Sequence, residues 1–391
     1  MNIPIDHDYL LETLTNLVRF NSINPTLIPG GAGEAAIAAY TAASLTQIGL
    51  EVAIHEPEPG RPSVVGILPG LNPAAGRSLM LNAHYDTVGV ADMLEPFSGA
   101  VRDGRVYGRG AYDMKGSLAA CMAAAKALLD AGISLPGSLL VAAVADEEYA
   151  SLGTADLIQR YTIDGAIVTE PTELDLCLAH KGFIWLEVET SGRAAHGSRF
   201  DLGLDANMRM GRFLAELDKL EQALRARPGH PLTGPPSLHA AMIQGGTEYS
   251  AYAAKCRLQI ERRTIPGESQ APIVAEIQAI VDRLAAADPT FKASVKPLFV
   301  RDAFEVSAGA TIVQAVHGAA TGVLGHEPAL VGQTPWMDSA LLDAAGVETV
   351  VIGPAGAGAH ARVEWVDIAS VAKLAQILAQ TAVAYCQLKT S

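Results

Sequence analysis

The sequence predicts an α/β domain with a mainly parallel central sheet, and an α+β domain inserted into it. Three observations carry this reading. Short apolar runs alternate with helical stretches up to residue 179 and again from residue 298. Between them the pattern changes to apolar/polar alternation, which suits a sheet with one wet face. The chain has 391 residues, more than one core ordinarily fills.

The elements follow in order. Residues 8–20 and 34–48 have helical periodicity. RPSVVGILPG and RSLMLNAHYD read as strands that end in loops. KGSLAACMAAAKALLDAG is a helix rich in small residues, closed by Gly132. GSLLVAAVADEEYASLG begins as a buried strand, Leu139 to Ala145, and ends in three adjacent acids, Asp146, Glu147 and Glu148. A helix from about 152 and the strand GAIVTE complete this half. KGFIWLEVETSG opens the alternating region. A helix over roughly 203–226, a Pro/Gly loop, strands near 238–244 and 252–262, helix 268–286 and the strand FKASVKPLFV follow. The α/β rhythm then resumes with helix 309–323, the strand VETVVIGP and a last helix after Val366. The expected domains are 1–179 with 298–391, and 180–297.

Composition narrows the function. Lys and Arg number 28 against 42 Asp and Glu, a net charge of −14. That argues against a nucleic-acid backbone or an anionic membrane as partner. The N-terminal MNIPIDHDYLLETLTNLVRF is amphipathic and lacks a basic region followed by an apolar one, so no secretory signal is expected. No run of 18 apolar residues suggests a membrane span. Cys121, Cys177, Cys256 and Cys386 are widely spaced, without a CxxC pair, and a reduced cytoplasmic protein is expected. GAGEAA and GPAGAG lack the Lys-Ser/Thr of a phosphate loop.

Polar groups gather where strands end, which is where α/β sheets bind ligands. SLMLNA ends in His84, Tyr85 and Asp86. A Gly-rich loop places Asp113 just before a helix. GSLLVAAVADEEYASLG leaves its strand at Asp146, Glu147 and Glu148, and AIVTEP ends in Glu170. VVIGPAGAGAH delivers His360. Converging, these groups carry a negative charge that divalent cations would balance, and His/Asp/Glu sets suit zinc or a related metal. Five ligands that share one carboxylate would hold two metals roughly 3.5–4 Å apart. A carboxylate next to a ligand in sequence, Glu147, can then serve as proton acceptor from water and donor to the leaving amine.

HYDTV, GRGAYDMKG, DEE, EPT and GAH, in this order, resemble the M20 metallopeptidase family, which includes acetylornithine deacetylase, succinyl-diaminopimelate desuccinylase, aminoacylase and glutamate carboxypeptidase. Each motif alone is weak; five in order are specific. The resemblance implies that His84, Glu170 and Asp113 hold one metal, and that Glu148, His360 and Asp113 hold the other. It implies Glu147 as general base and Asp86 as the group that orients the His84 imidazole. It also implies a cis peptide after Asp113. SGRAAHGSRFDLGLDAN resembles the family's lid motif, and its His196 would polarise the scissile carbonyl, across a dimer in dimeric members. ERRTIPGE resembles the segment whose Arg clamps a substrate carboxylate, and Arg263 fits best beside Arg262. One departure is Ser250, where the family often has Asn in a GGxxxN pattern.

Taken singly, several of these residues have plainer readings. The three acids suit a helix N-terminus. Asp113 could cap the following helix. His84 could be a core histidine, Glu170 a strand-end acid and His196 a loop histidine. Glu364 reads as a structural acid. The ordered set favours the metal site. The sequence therefore predicts a di-metal, zinc-type hydrolase of linear amide C–N bonds, with cobalt or manganese also suited. It would remove an acetyl- or succinyl-like N-acyl group from an amino acid. A dipeptidase or carboxypeptidase of the same family is the alternative, and a non-catalytic amino-acid binder a distant third. A homodimer through the inserted domain is expected.

Overall fold

The computed structural model describes residues 3–389, which divide into two compact units. The first comprises residues up to 178, 306–331 and 337 onward. Its sheet runs in the order Glu51–His55, Ser63–Leu68, Leu139–Val144, Leu79–His84, Gly165–Val168, Glu348–Val351, Leu176–His180. The four strands from Leu139–Val144 to Glu348–Val351 are mutually parallel, and the flanking strands join antiparallel. Leu79–His84 and Leu139–Val144 are buried at every position, because helices cover both faces of a parallel core.

The Gly116–Asp130 helix packs against His7–Arg19 and Ile368–Tyr385, and its run of Gly, Ser and Ala allows close approach. Ile368–Tyr385 has the length and mean hydropathy to cross a membrane, yet most of it is buried against Gly116–Asp130 and Thr311–Leu324. That is the behaviour of a core helix. Asp6 and Asp367 cap their helices, accepting hydrogen bonds from Tyr9 N at 3.0 Å and Ser370 N at 2.7 Å.

A second, small sheet was not expected from sequence. It orders Gly356–Ala357, Trp365–Asp367, Arg105–Tyr107 and Ala100–Arg102. Its hairpin turns on Asp103 and Gly104, with φ of 50° and 74°, as a two-residue turn of this hand requires. The sheet ties the segment leading to Asp113 to the loop that carries His360.

The second unit comprises residues 179–305 and 332–336. Four antiparallel strands run in the order Ser237–Gly245, Lys255–Thr264, Gly182–Ser191, Lys292–Arg301. Ile184, Leu186 and Val188 pack with Phe213 and Ile277 of the helices Ala206–Arg225 and Gln270–Ala287. The C-terminal limit falls beyond the expected 297, because Lys292–Arg301 pairs along its whole length with Gly182–Ser191. Residues 332–336 join this unit through the Lys181 N–H to the Gln333 carbonyl, a contact with no sequence period to announce it. The edge strand Ser237–Gly245 is exposed from His239 onward, with Met242 and Ile243 among its open side chains.

Candidate metal centre

Parallel pairing brings three of the expected loops to one edge of the first unit. Leu79–His84 pairs His84 with Val144 and Asn82 with Val168. Asp86, Asp146–Glu148 and Glu170 therefore leave the sheet side by side. Asp113 lies in an irregular turn, Ala111–Lys115, that enters the Gly116–Asp130 helix, and the Asp113–Met114 peptide is cis. Two plainer readings fall here. The helix after Asp113 has Lys115 at its N-cap position and no side-chain cap, since the Asp113 carboxylate is turned to histidines instead. The three acids precede a helix that starts only at Leu152, so they do not form its first turn.

The side chains converge. His84 Nε2 lies 3.1 Å from Asp113 Oδ1, 3.5 Å from Glu170 Oε1 and 3.9 Å from Glu147 Oε2. His360 Nε2 lies 3.3 Å from Asp113 Oδ2 and 3.2 Å from Glu148 Oε2. Donor atoms of His84, Asp113 and Glu148 all fall within 4.8 Å of one another, as do those of His84, Glu147 and Glu170. Two ligands on one tetrahedral zinc with bonds near 2.0–2.1 Å are separated by about 3.4 Å. The His–carboxylate spacings match that edge, and the two oxygens of Asp113 are shared between the two histidines. The described side chains therefore offer a His/Asp/Glu donor set of the kind that holds divalent ions, with His84 common to both groups and His360 outside them.

The electrostatics point the same way. Burial raises Glu147 and Glu148 above the usual carboxylate range, with Glu170 and Asp113 as their respective like-charged neighbours. Burial and the nearby Asp113 push Glu170 up to about 7. Hydrogen bonds to Asp113 and Glu148 lift His360 to about 10. Burial opposes protonation of His84, but Asp113 and Glu170 carry it well above its ordinary value. Burial would raise Asp113, but His360 and His84 hold it low. Every shift but the last records a deficit of positive charge, and the last records where histidine supplies some.

The support residues are mostly new to the structure. Asp86 orients His84 differently from expectation. The His84 Nδ1 sits 3.0 Å from the Asp86 backbone carbonyl and 3.6 Å from its carboxylate. The carboxylate instead accepts the N–H groups of Glu147 at 3.1 Å and Glu148 at 3.3 Å, and the Asn24 amide at 2.8 Å. Glu364 Oε1 accepts the N–H groups of Tyr112 at 3.0 Å and Asp113 at 3.1 Å. Its other oxygen takes Arg109 Nη1 at 2.6 Å. The Tyr112 hydroxyl donates to Glu173 Oε1 at 2.7 Å, and the same oxygen accepts the Gly356 N–H at 3.3 Å.

His196 and Arg263 belong to the second unit. His196 is exposed, with Nδ1 2.8 Å from Ser198 Oγ, and its loop bridges to Ala251 next to Ser250. Arg262 is buried and bound to Glu268, which leaves Arg263 as the partly exposed member of the pair. Arg263 Nε donates to Glu261 at 2.7 Å, and its guanidinium lies 5.3 Å from the Phe183 ring centre.

A family model described as peptidase family M20/M25/M40 matches residues 80–384. The chain belongs to this family. As a member it is a hydrolase of amide bonds. The chain is 29% identical to an N-formyl-4-amino-5-aminomethyl-2-methylpyrimidine deformylase of Bacillus subtilis (strain 168), over 97% of this chain and 96% of the relative. It is 30% identical to an acetylornithine deacetylase of Myxococcus xanthus, over 73% of this chain and 74% of the relative. Among solved structures it resembles aminopeptidase PepT of Bacillus cereus, with TM-score 0.80 and 18% identity over 98% and 100% of the chains. It also resembles a dinuclear metal binding peptidase of the M20 family from Bacillus subtilis, with TM-score 0.75 and 15% identity over 97% and 98%. At such identities the likeness speaks for the fold alone.

Proposed function

We propose that this M20 hydrolase removes a short N-acyl group, of formyl to succinyl size, from the nitrogen of a small amine or amino acid. The observation that carries the reading is the near full-length similarity to a deformylase, joined by the deacetylases. The peptidases resemble the chain at 18% identity or less in the two structures described, and lend only the fold.

In this reading His84, Asp113 and Glu170 would hold one divalent ion, and Asp113, Glu148 and His360 would hold the other. Bound there, zinc, cobalt or manganese would polarise the acyl carbonyl and acidify water. Glu147, beside the ligands but paired only loosely with His84 at 3.9 Å, takes a proton from the attacking water. The same carboxyl then returns it to the departing nitrogen. Asp86 holds the backbone under Glu147 and Glu148 in place. The roles that the family resemblance implies for His196, towards the acyl oxygen, and for Arg263, towards a carboxylate of the amine part, belong to this proposal. The exposed edge Ser237–Gly245 offers unpaired backbone groups and apolar side chains to a second copy, which supports a homodimer. Four buried free cysteines support a reducing, cytoplasmic setting.

The test is a hydrolysis panel read by mass spectrometry, with zinc, cobalt or manganese added. It sets N-formyl aminomethylpyrimidine, N-acetylornithine, other N-acetyl and N-succinyl amino acids against unblocked dipeptides. Cleavage confined to acylated amines supports the proposal. Cleavage confined to dipeptides rejects it in favour of a peptidase.

A further inference from the structure

Three adjacent acids end the Leu139–Val144 strand, and two of them face the candidate metal centre. The third, Asp146, points the other way. Its backbone is left-handed, with φ of 70°, a conformation Asp tolerates better than most residues. Its carboxylate is buried and meets Arg61 Nη2 at 2.6 Å. Arg61 is itself buried and reaches Glu34 through Nε at 2.8 Å and Nη2 at 2.7 Å, and Thr26 Oγ1 through Nη1 at 2.8 Å.

Asn24 links this cluster to the loop after His84. Its amide nitrogen donates to Asp146 Oδ1 at 2.9 Å and to Asp86 Oδ2 at 2.8 Å. Its oxygen accepts the N–H groups of Thr26 at 3.0 Å and Leu27 at 3.2 Å, which fixes the amide so that the nitrogen faces both acids. Asp86 in turn holds the N–H groups of Glu147 and Glu148. The turn that aims the two glutamates is therefore gripped at both ends. Asp146 anchors one end to Arg61, and Asp86 anchors the other, with Asn24 between them.

We propose that Arg61 is a positioning residue for the amide-hydrolase site. Its guanidinium, acting through Asp146, holds the turn that directs Glu147 and Glu148 into the metal pocket. A buried carboxylate stripped of its cation is driven towards water. Asp146 cannot move there without dragging the glutamates, because Glu147 is the next residue and Glu148 the one after it. Glu34 shares the guanidinium but does not touch the turn, so it serves the pair's burial and not the aim of the glutamates. The inference rests on the amide-hydrolase reading of the site and not on the identity of the acyl group.

The test compares R61M, E34Q and R61M/D146N for kcat, KM, thermal stability and metal equivalents retained after dialysis. R61M is expected to lose about 10–100-fold in kcat and to retain less than the wild-type complement of metal, the range typical of groups that orient ligands. KM should stay within about twofold, since a lost aim acts on the chemical step. E34Q should melt earlier yet keep kcat. Adding D146N to R61M removes the stranded charge on the turn itself and should restore at least about tenfold of the loss in kcat, while Glu34, still without its cation, keeps the double variant less stable than wild type. If R61M is insoluble, R61K replaces it, since Lys keeps the charge but cannot span Glu34 and Asp146 together. R61M with wild-type kcat and metal content overturns the proposal. So does a double variant no better than R61M. Metal retention needs no substrate, so a silent hydrolysis panel would reject the acyl reading and leave this test standing.

Discussion

Removing the Glu364 carboxylate should loosen the loop that carries Asp113, and the structure sets the size of the effect. Glu364 is buried and serves three donors at once: Tyr112 N, Asp113 N and Arg109 Nη1. Arg109 also reaches the carbonyls of Ala361 at 3.0 Å and Gly89 at 3.2 Å, so it cannot follow a vanished partner outward. Glu364→Ala leaves a buried guanidinium without an anion, a defect that costs about 3–5 kcal/mol. Glu364→Gln keeps an oxygen for the two N–H groups but forfeits the charge-assisted bond, about 1.5–3 kcal/mol. At roughly 2–4 °C per kcal/mol for domains of 150–250 residues, the melting point should fall by about 6–20 °C for Ala and about 3–12 °C for Gln. Arg109→Met combined with Glu364→Ala should recover part of the Ala loss, because no charge is then stranded. The assay is thermal unfolding with and without added zinc, checked by urea titration. An Ala variant within about 1 kcal/mol of wild type, or one indistinguishable from Gln, would refute the reasoning.

Other outcomes are expected. Glu147→Gln should lower kcat by about 10²–10⁴-fold with metal content unchanged, and a variant that keeps a tenth of the activity rules out the base role. Asp288 is held down to about 2 by the Thr290 hydroxyl, then Arg212 and the Thr290 N–H. A depressed carboxylate stabilises fully above its unfolded value near 3.9 and loses that contribution as pH falls through about 2. The stability gap between wild type and Asp288→Asn should therefore be constant above about pH 5 and narrow below about pH 4; a gap that stays level down to pH 3 contradicts this. All four cysteines are free and buried, and burial pushes the Cys121 and Cys386 thiols up to about 12. A thiol reagent at pH 8 should react with the native chain only after denaturant is added, and prompt labelling of Cys121 would show its helix to be open.

What the sequence made legible follows from where order is local. His84, Asp86, Glu147, Glu148 and Glu170 stand directly after apolar runs, so a strand and its loop are read together. The parallel order of those strands then brings the loops to one edge. Asn24, Glu34 and Arg61 had no such signal. Each is a single polar residue in an ordinary stretch, and their partners lie 27 to 122 positions away. Asn24 before Pro25 reads as a turn, which it is, since its oxygen takes two local N–H groups. Nothing in that turn announces that its nitrogen spans two buried acids. The small sheet was missed for a different reason. Its strands are two or three residues long, below the span where alternation can be seen, although Asp103-Gly104 carried a hairpin signal.

Two groups of buried carboxylates in the first unit differ in their counter-charges, and the difference explains why the pocket is a place for cations. Asp146 and Glu34 share Arg61, and Glu364 has Arg109. These acids are neutralised by the chain itself, and each uses at least one oxygen to fix backbone or a neighbour. The ion pairs of Asp113, Glu147, Glu148 and Glu170 are with His84 and His360. Histidine is a weak counter-charge near neutral pH and is itself a metal donor when neutral. Of these seven carboxylates, the three behind the loops are paired with arginine and the four of the candidate metal centre with histidine; Asp86, which also holds a loop, lies near His84. An arginine turned into the cavity would satisfy the second class and close the site to metal. Instead the two buried guanidiniums stand behind the loops, where they stiffen the frame without competing for the pocket's oxygens. The high values of Glu147, Glu148 and Glu170 are the consequence of that arrangement: burial without a fixed cation. Divalent ions would complete the charge balance in a pocket from which the chain has withheld its arginines.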